Sequence, residues 1–156
     1  MKSTDTFDWE KYLIECLSST EYFSLATVDH KGVWVNPVYF AWDEDFTFYF
    51  ISQLHSRHMQ NISKDKRVSV AIYKTEQKGD VQGVQLEGEA AILSNQDDVE
   101  KAFAIYHHRT GGGKEQEEYI TNPTWIFVKI TPQHLYYFDT RFFDEERQEV
   151  PLVKIH

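Results

Sequence analysis

Residues 52–62 read Ser52-Gln53-Leu54-His55-Ser56-Arg57-His58-Met59-Gln60-Asn61-Ile62 and hold the densest set of side chains able to do chemistry. A strand pattern ends at Ser52 and a short helix is predicted from about Ser56, which puts Arg57 and His58 in its first turn. A helix N-terminus is already partially positive, so cations are misplaced there. An anion bound at the helix start resolves the conflict, held by Arg57 and backbone N–H groups together. Phosphate is the natural candidate, because a guanidinium matches its geometry. Residues 52–74 also gather Arg57, Lys64, Lys66, Arg67 and Lys74 against Asp65 alone, in a chain of net charge −9. A basic island in an acidic chain fits a local anion site. A solvated basic face balancing acidic neighbours explains the same residues.

Other constellations carry less. His55 and His58 stand at i, i+3, and His107-His108 follow a later helix, but no carboxylate or cysteine completes a zinc pattern, so no metal site is expected. Gly111-Gly112-Gly113-Lys114 lacks Walker spacing and its Ser/Thr, and reads as a loop. No Gly-x-Ser-x-Gly elbow supports a serine hydrolase. No residue stands out as a required general acid or base, so no catalytic residue is assigned. Asn36-Pro37 interrupts a strand pattern. Proline donates no ladder hydrogen bond, so that strand lies at an edge or is bulged, as a barrel corner or as backbone left free for a ligand.

Composition narrows the classes further. The chain has 156 residues, enough for one domain that buries ~70% of its unfolded surface. Aromatic residues reach 15% (11 Phe, 9 Tyr and 4 Trp), which favours strands and broad buried surfaces. With 16 basic and 25 acidic residues, binding to nucleic acid through phosphate neutralisation is disfavoured. No apolar run of about 20 residues offers a membrane span, and the first residues have no apolar signal core. Cys16 is the lone cysteine, which fits a reducing, cytoplasmic setting, and its place on an apolar helical stripe suits a packed thiol.

These side chains need a frame. Trp9, Tyr12, Leu13, Cys16 and Leu17 form one helical stripe, with Thr6 as the expected cap of a helix over about 7–18. Strands are predicted over Tyr22–Val28, Val33–Phe40, Phe46–Ser52, Arg67–Tyr73, Val84–Leu93, and near Thr124–Ile130 and His134–Phe138. Phe46, Phe48 and Phe50 share one face, and Thr47, Tyr49 and Ile51 the other. A strand with large apolar groups on both faces is covered on both sides, by helices or by a second subunit. A helix capped by Ser94 or Asn95 carries Val99, Ala102, Phe103 and Tyr106. The expected architecture is one domain, mainly β. It is a six-stranded antiparallel Greek-key barrel over about 22–138 with flanking helices and a C-terminal tail, 139–156.

The segments Tyr22-Phe23-Ser24-Leu25-Ala26-Thr27, Asn36-Pro37-Val38-Tyr39-Phe40 and Phe48-Tyr49-Phe50-Ile51-Ser52 are followed by Ser56-Arg57-His58. Arg67-Val68-Ser69-Val70-Ala71 and Gln85-Leu86-Glu87-Gly88-Glu89-Ala90 continue the series. In this order and spacing, over roughly residues 8–138, the chain resembles the pyridoxamine 5′-phosphate oxidase-like, FMN-binding split β-barrels. Gly83–Glu89 and Pro123-Thr124-Trp125 are similar to a small uncharacterised bacterial branch, the YhbP type. The resemblance implies a homodimer with FMN sites at the subunit interface. It implies that Asn36, Pro37 and Val38 face the flavin through main-chain atoms, and that Ser52 and Arg57 hold the phosphate with Ser56 adjacent. His58 occupies a position that is often Lys in the family. Gln85 falls on the strand that approaches the cofactor from the partner subunit, and Trp125 and Tyr137 lie where aromatic residues flank the ring. The C-terminal region, which includes Arg141-Phe142-Phe143-Asp144-Glu145-Glu146-Arg147, lacks the Arg-x-His-type clamp of the true oxidase, so vitamin B6 oxidation is not implied. The expectation is a flavin-dependent oxidoreductase acting on a small molecule. The competing expectations are another phosphorylated flavin or deazaflavin, a haem module with an axial ligand among His55, His58, His107 and His108, or a cofactor-free dimeric scaffold.

Overall fold

The computed structural model describes residues 6–75, 77–112, 115–121 and 124–154. Helix α1 (Trp9–Ser18) buries Trp9, Leu13, Cys16 and Leu17 along the stripe its spacing predicts. Its cap is Asp8, whose carboxylate accepts from Lys11 N at 3.1 Å, rather than Thr6. Only a side chain at the N-cap itself reaches the N–H groups of the first turn, and Thr6 stands two residues too early.

Eight strands form one antiparallel sheet: β1 (Tyr22–Asp29), β2 (Gly32–Tyr39), β3 (Ala41–Trp42), β4 (Phe48–Gln53), β5 (Arg67–Thr75), β6 (Val81–Ile92), β7 (Trp125–Asp139) and β8 (Gln148–Glu149). The order is β2-β1-β5-β6-β7-β4-β3, with β8 paired to β7. Six strands are long, and the two-residue β3 and β8 make up the rest. The two strands expected near 124–130 and 134–138 are one strand, β7. Glu87 faces His134 while Gly88 faces Pro132, so Gln133 is the extra residue of a bulge that carries the chain past a proline without ending the strand. A Cβ on Gly88 would lie 2.3 Å from the Thr131 carbonyl oxygen, which explains glycine at this crossing. Among the described residues no ladder joins β2 to β3 or β4, so the curled sheet stays split there.

The inner face of the sheet holds the main core, with Phe23, Phe48, Phe50, Val70, Leu86 and Ile130 among its buried members. The two faces of β4 behave as their pattern predicts. Phe48 and Phe50 enter the main core, while Tyr49 joins Leu93, Val99, Ala102 and Phe127 in a second cluster. Helix α3 (Gln96–Thr110), capped by Asn95 accepting from Asp97 N and Asp98 N, supplies Val99 and Ala102 to that second layer. It ends at Gly111 in the left-handed conformation; Gly113, Lys114 and Pro123 lie outside the described residues. The segment expected as a tail is structural: α4 (Thr140–Phe143) and the residue that follows β8 bring Phe143 and Val150 into the main core. Their apolar surface contributes about 1.5–3 kcal/mol per large side chain when buried, a gain a free tail forgoes. No helix among the described residues is long and apolar enough to cross a membrane.

Candidate functional site

Strand β4 ends at Gln53, a turn closes with Ser56 N donating to Gln53 O (3.0 Å), and α2 (Arg57–Ile62) begins at once. This tight reversal brings three side chains together. Ser52 Oγ lies 2.6 Å from His58 Nε2, Ser56 Oγ lies 3.2 Å from the same nitrogen, and the two hydroxyls are 3.4 Å apart. Ser52 and His58 are buried. Burial lowers the His58 pKa below its ordinary value, which keeps the ring uncharged at neutral pH. Ser56 is the N-cap of α2, but its hydroxyl donates to Gln53 O (2.8 Å) and leaves the helix start without a side-chain cap or an acidic residue.

Arg57 turns the other way. Its guanidinium lies 4.5 Å over the Trp34 ring, and Nη2 is 4.0 Å from Asp29 Oδ1. Asp29 is held below the usual carboxylate pKa, first by the Lys31 backbone N–H and also by the Arg57 charge. The Asn61 amide hydrogen-bonds Thr27 Oγ1 at 2.9 Å. Helix α2 is therefore tied to β1 through Thr27, to β2 through Trp34 and to β4 through Ser52, so it bridges both sides of the split. Two other basic side chains of the island are engaged elsewhere. Arg67 pairs with Asp65 at 2.6 Å and Lys66 with Glu89 at 3.0 Å, as the solvated-face reading expects, while Arg57 is the member next to the hydroxyl cluster in sequence.

The remaining sequence-predicted residues fall into two groups. On edge strand β2, Asn36, Pro37 and Val38 pair with Leu25, Ser24 and Phe23 in unbroken register, so the proline marks an edge and not a bulge. Val38 is buried in the core, which leaves only its main chain to face a ligand. Asn36 Oδ1 is buried with no hydrogen-bond partner among the described residues, an acceptor that costs free energy unless something donates to it. Pairing then runs Pro37, Ser24, Ala71, Gln85, Tyr136 straight across five strands. Pro37 and Gln85 thus stand in one row with small Ser24 and Ala71 between them, about 14 Å apart at three strand spacings. Ser24, Ala71, Gln85 and Tyr136 of this row floor a groove of about 600 Å³ that Val35 and Arg147 also line. Gln85 Oε1 accepts from Arg147 Nε.

Trp125 pairs with Gln53 and so sits at the Ser52 end of β4. Tyr137 does not reach a cofactor-facing surface. Its ring is fully buried, packed against Phe7 and Trp9, and its hydroxyl donates to Asp139 Oδ2 (2.6 Å) while accepting from Gln82 Nε2 (2.8 Å). Strand alternation turns Tyr136, one residue earlier, into the groove instead. The register that buries Leu135 fixes this alternation, and nothing in the sequence pointed to Arg147. Among the described residues no hydrogen bond or ion pair joins the row to the hydroxyl cluster. Of the other histidines, His107 stacks on Phe103 at 5.0 Å, and His55 and His108 are exposed.

The family profile described as pyridoxamine 5′-phosphate oxidase matches residues 10–139. No curated protein matches the sequence. Among solved structures, a conserved hypothetical protein of Mycobacterium tuberculosis superposes with a TM-score of 0.72 at 18% identity, covering 96% of each chain. A heme binding protein from Mycobacterium smegmatis gives 0.74 at 17% identity over 96% of this chain and 60% of its own. HutZ, the heme storage protein of Vibrio cholerae, gives 0.67 at 18% identity over 81% of this chain and 92% of its own. At these identities the superpositions establish the split-barrel fold.

Proposed function

From the premise that this chain belongs to the pyridoxamine 5′-phosphate oxidase family, we propose that it is a homodimeric FMN-binding oxidoreductase acting on a small molecule. The observation that carries the reading is the Ser52–Ser56–His58 cluster beside Arg57, donors gathered at an uncapped helix start that lacks any acidic residue. Arg57 would hold the phosphate as a charge-assisted donor, swinging from its loose 4.0 Å contact with Asp29, and Ser52 and Ser56 would supply hydroxyls. The unpartnered Asn36 Oδ1 suits a ring N–H, and the open edge of β2 offers main-chain donors and acceptors. FMN, when bound, supplies hydride and electron transfer. The protein's part is to anchor, orient and shield it. The groove along Ser24, Ala71 and Gln85, in the same strand row as Pro37, is where a second copy would complete the site, and Trp125 would stand near the phosphate end. The single buried cysteine fits a cytoplasmic home.

Equilibrium titration with FMN, followed by flavin fluorescence, tests the reading. Native protein should bind saturably, and Arg57→Ala should lose ~1.5–3 kcal/mol of affinity, the worth of a charged hydrogen bond. Absence of saturable binding defeats it. Haem is the competing reading, favoured by the two heme proteins among the structural neighbours. A Soret shift on adding haem that is lost when His108 is replaced would move the assignment to the groove of about 540 Å³ which His108 lines with Tyr39 and Trp42.

A further inference from the structure

The hydroxyl cluster contains a proton inventory that can be counted. Ser56 has one hydroxyl proton, and its 2.8 Å bond to the Gln53 carbonyl takes it. Toward Ser52 and His58, Ser56 Oγ is therefore an acceptor only. The 2.6 Å contact between Ser52 Oγ and His58 Nε2 needs one proton, from either side. If Ser52 provides it, Ser52 has nothing left to donate to a ligand, and Ser56 Oγ faces a bare Nε2 at 3.2 Å, acceptor against acceptor. If Nε2–H provides it, both contacts are satisfied and the Ser52 proton is released. Within the cluster that proton finds only Ser56 Oγ at 3.4 Å, a long bond that a phosphate oxygen would outcompete.

We propose that His58 is the positioning residue of this anion site: its Nε2 proton turns Ser52 into a donor, and a bound phosphate draws the ring into its doubly protonated form. The inference rests on the phosphate reading of the cluster. The second half follows from what surrounds the ring. On α2 the adjacent charge is Arg57; on β1 it is Asp29, 4.0 Å from Arg57; on β6 they are Glu87 and Glu89, the latter paired with Lys66. None lies within ion-pair distance of His58, and Ser52, Phe50 and Asn61 are uncharged. An imidazolium here has no carboxylate to balance it, and burial alone acts on the ring. A phosphate supplies the missing negative charge, so anion and proton bind cooperatively. A lysine at this position would be charged at every relevant pH and could not make anion binding pH-dependent.

The experiment has two arms. In the first, 15N NMR of the histidine rings follows the His58 titration with and without saturating inorganic phosphate. Phosphate should raise its midpoint by about one pH unit. In the second, FMN affinity is measured from about pH 8.5 to 6 for the native protein and His58→Gln, whose amide keeps an N–H donor that cannot titrate. The native protein should gain about tenfold over the variant across that range, since one pH unit of coupling is tenfold; the ionisation of the FMN phosphate near pH ~6 cancels in the comparison. Parallel profiles with an unmoved midpoint overturn the inference while leaving FMN binding intact. A phosphate-shifted midpoint without FMN binding does the reverse. If FMN does not bind and phosphate leaves the His58 midpoint unmoved, both are lost. Should His58→Gln fail to fold, the NMR arm on the native chain decides alone.

Discussion

Two buried polar clusters differ in how completely they satisfy themselves. Around Tyr137, at the C-terminal end of β7, Asp139 accepts from the Tyr137 hydroxyl (2.6 Å) and from Arg141 N (2.9 Å), Nε (2.9 Å) and Nη2 (2.6 Å), and Arg141 continues to Glu15 at 2.9 Å. Burial pushes the Asp139 carboxyl up, but the bonds from Arg141 and Tyr137 outweigh it and hold its pKa below the ordinary value. Around Ser52, at the opening of α2, one hydroxyl proton is left with only a 3.4 Å acceptor, and the nearby cation is held by a ring face and a 4.0 Å ion pair. A carboxylate that is already fully served is built to stabilise. A hydroxyl pair with a cation beside it and no anion of its own leaves a donor over, the feature on which the proposed anion site rests. Burial alone does not tell the two apart; what is left over does, the acceptor Gln82 Oε1 beside Tyr137 and a hydroxyl proton beside His58.

Removing the centre of the closed cluster should have the largest effect. Asp139→Ala strands the Tyr137 hydroxyl and part of the Arg141 charge, and should cost about 3 kcal/mol of stability, read as a lowered urea midpoint at unchanged slope. FMN affinity of the folded protein should stay within about twofold; a large loss of affinity would show that the two clusters communicate. Arg57→Ala should show the converse, the affinity loss given above with stability changed by less than ~0.5 kcal/mol, because a long 4.0 Å pair whose cation is solvated contributes little. Tyr137→Phe removes one bond each from Gln82 and Asp139 and should cost about 1–2 kcal/mol.

Acid should separate the clusters by pH. Asp139 has a depressed folded pKa, so its contribution is present above the unfolded value, 3.8, and disappears as pH falls through the folded one. His58 has a depressed pKa as well, but as a base: the unfolded chain binds the proton more readily, so stability falls slightly below about pH 6.5 and phosphate should restore it. Thermal midpoints at pH 7, 5.5 and 3.5, with and without phosphate, would read both. The smallest signal is chemical. Burial pushes the Cys16 thiol up to about 12, so alkylation at pH 8 should proceed only as fast as the fold opens.

Much of this molecule was legible before its tertiary structure. The apolar stripe of α1, the two-sided β4 and the segment from Ser52 to His58 are local patterns, and local patterns are written in neighbouring residues. The errors share a cause. Thr6 was one of several adjacent residues able to cap, and only chain direction selected Asp8. Pro132 looks like a terminator until β6 offers Gly88 opposite it, so that a bulge can form. Tyr137 and Tyr136 are alike in type, and only register decides which one faces the groove. Phe143 and Val150 show no period, because they fill an end of the barrel built by residues more than a hundred positions earlier.

The sequence by itself determined that Arg57 and His58 open a helix with no acid to meet them, since helix polarity and residue order are enough for that conclusion. Only the tertiary structure decided that Arg57 turns to Trp34 and Asp29, that Pro37 and Gln85 share a row, and that a single nitrogen of His58 serves two hydroxyls. Those are contacts between strands and across a turn, fixed by packing and by the need to satisfy buried donors and acceptors, and no spacing along the chain encodes them.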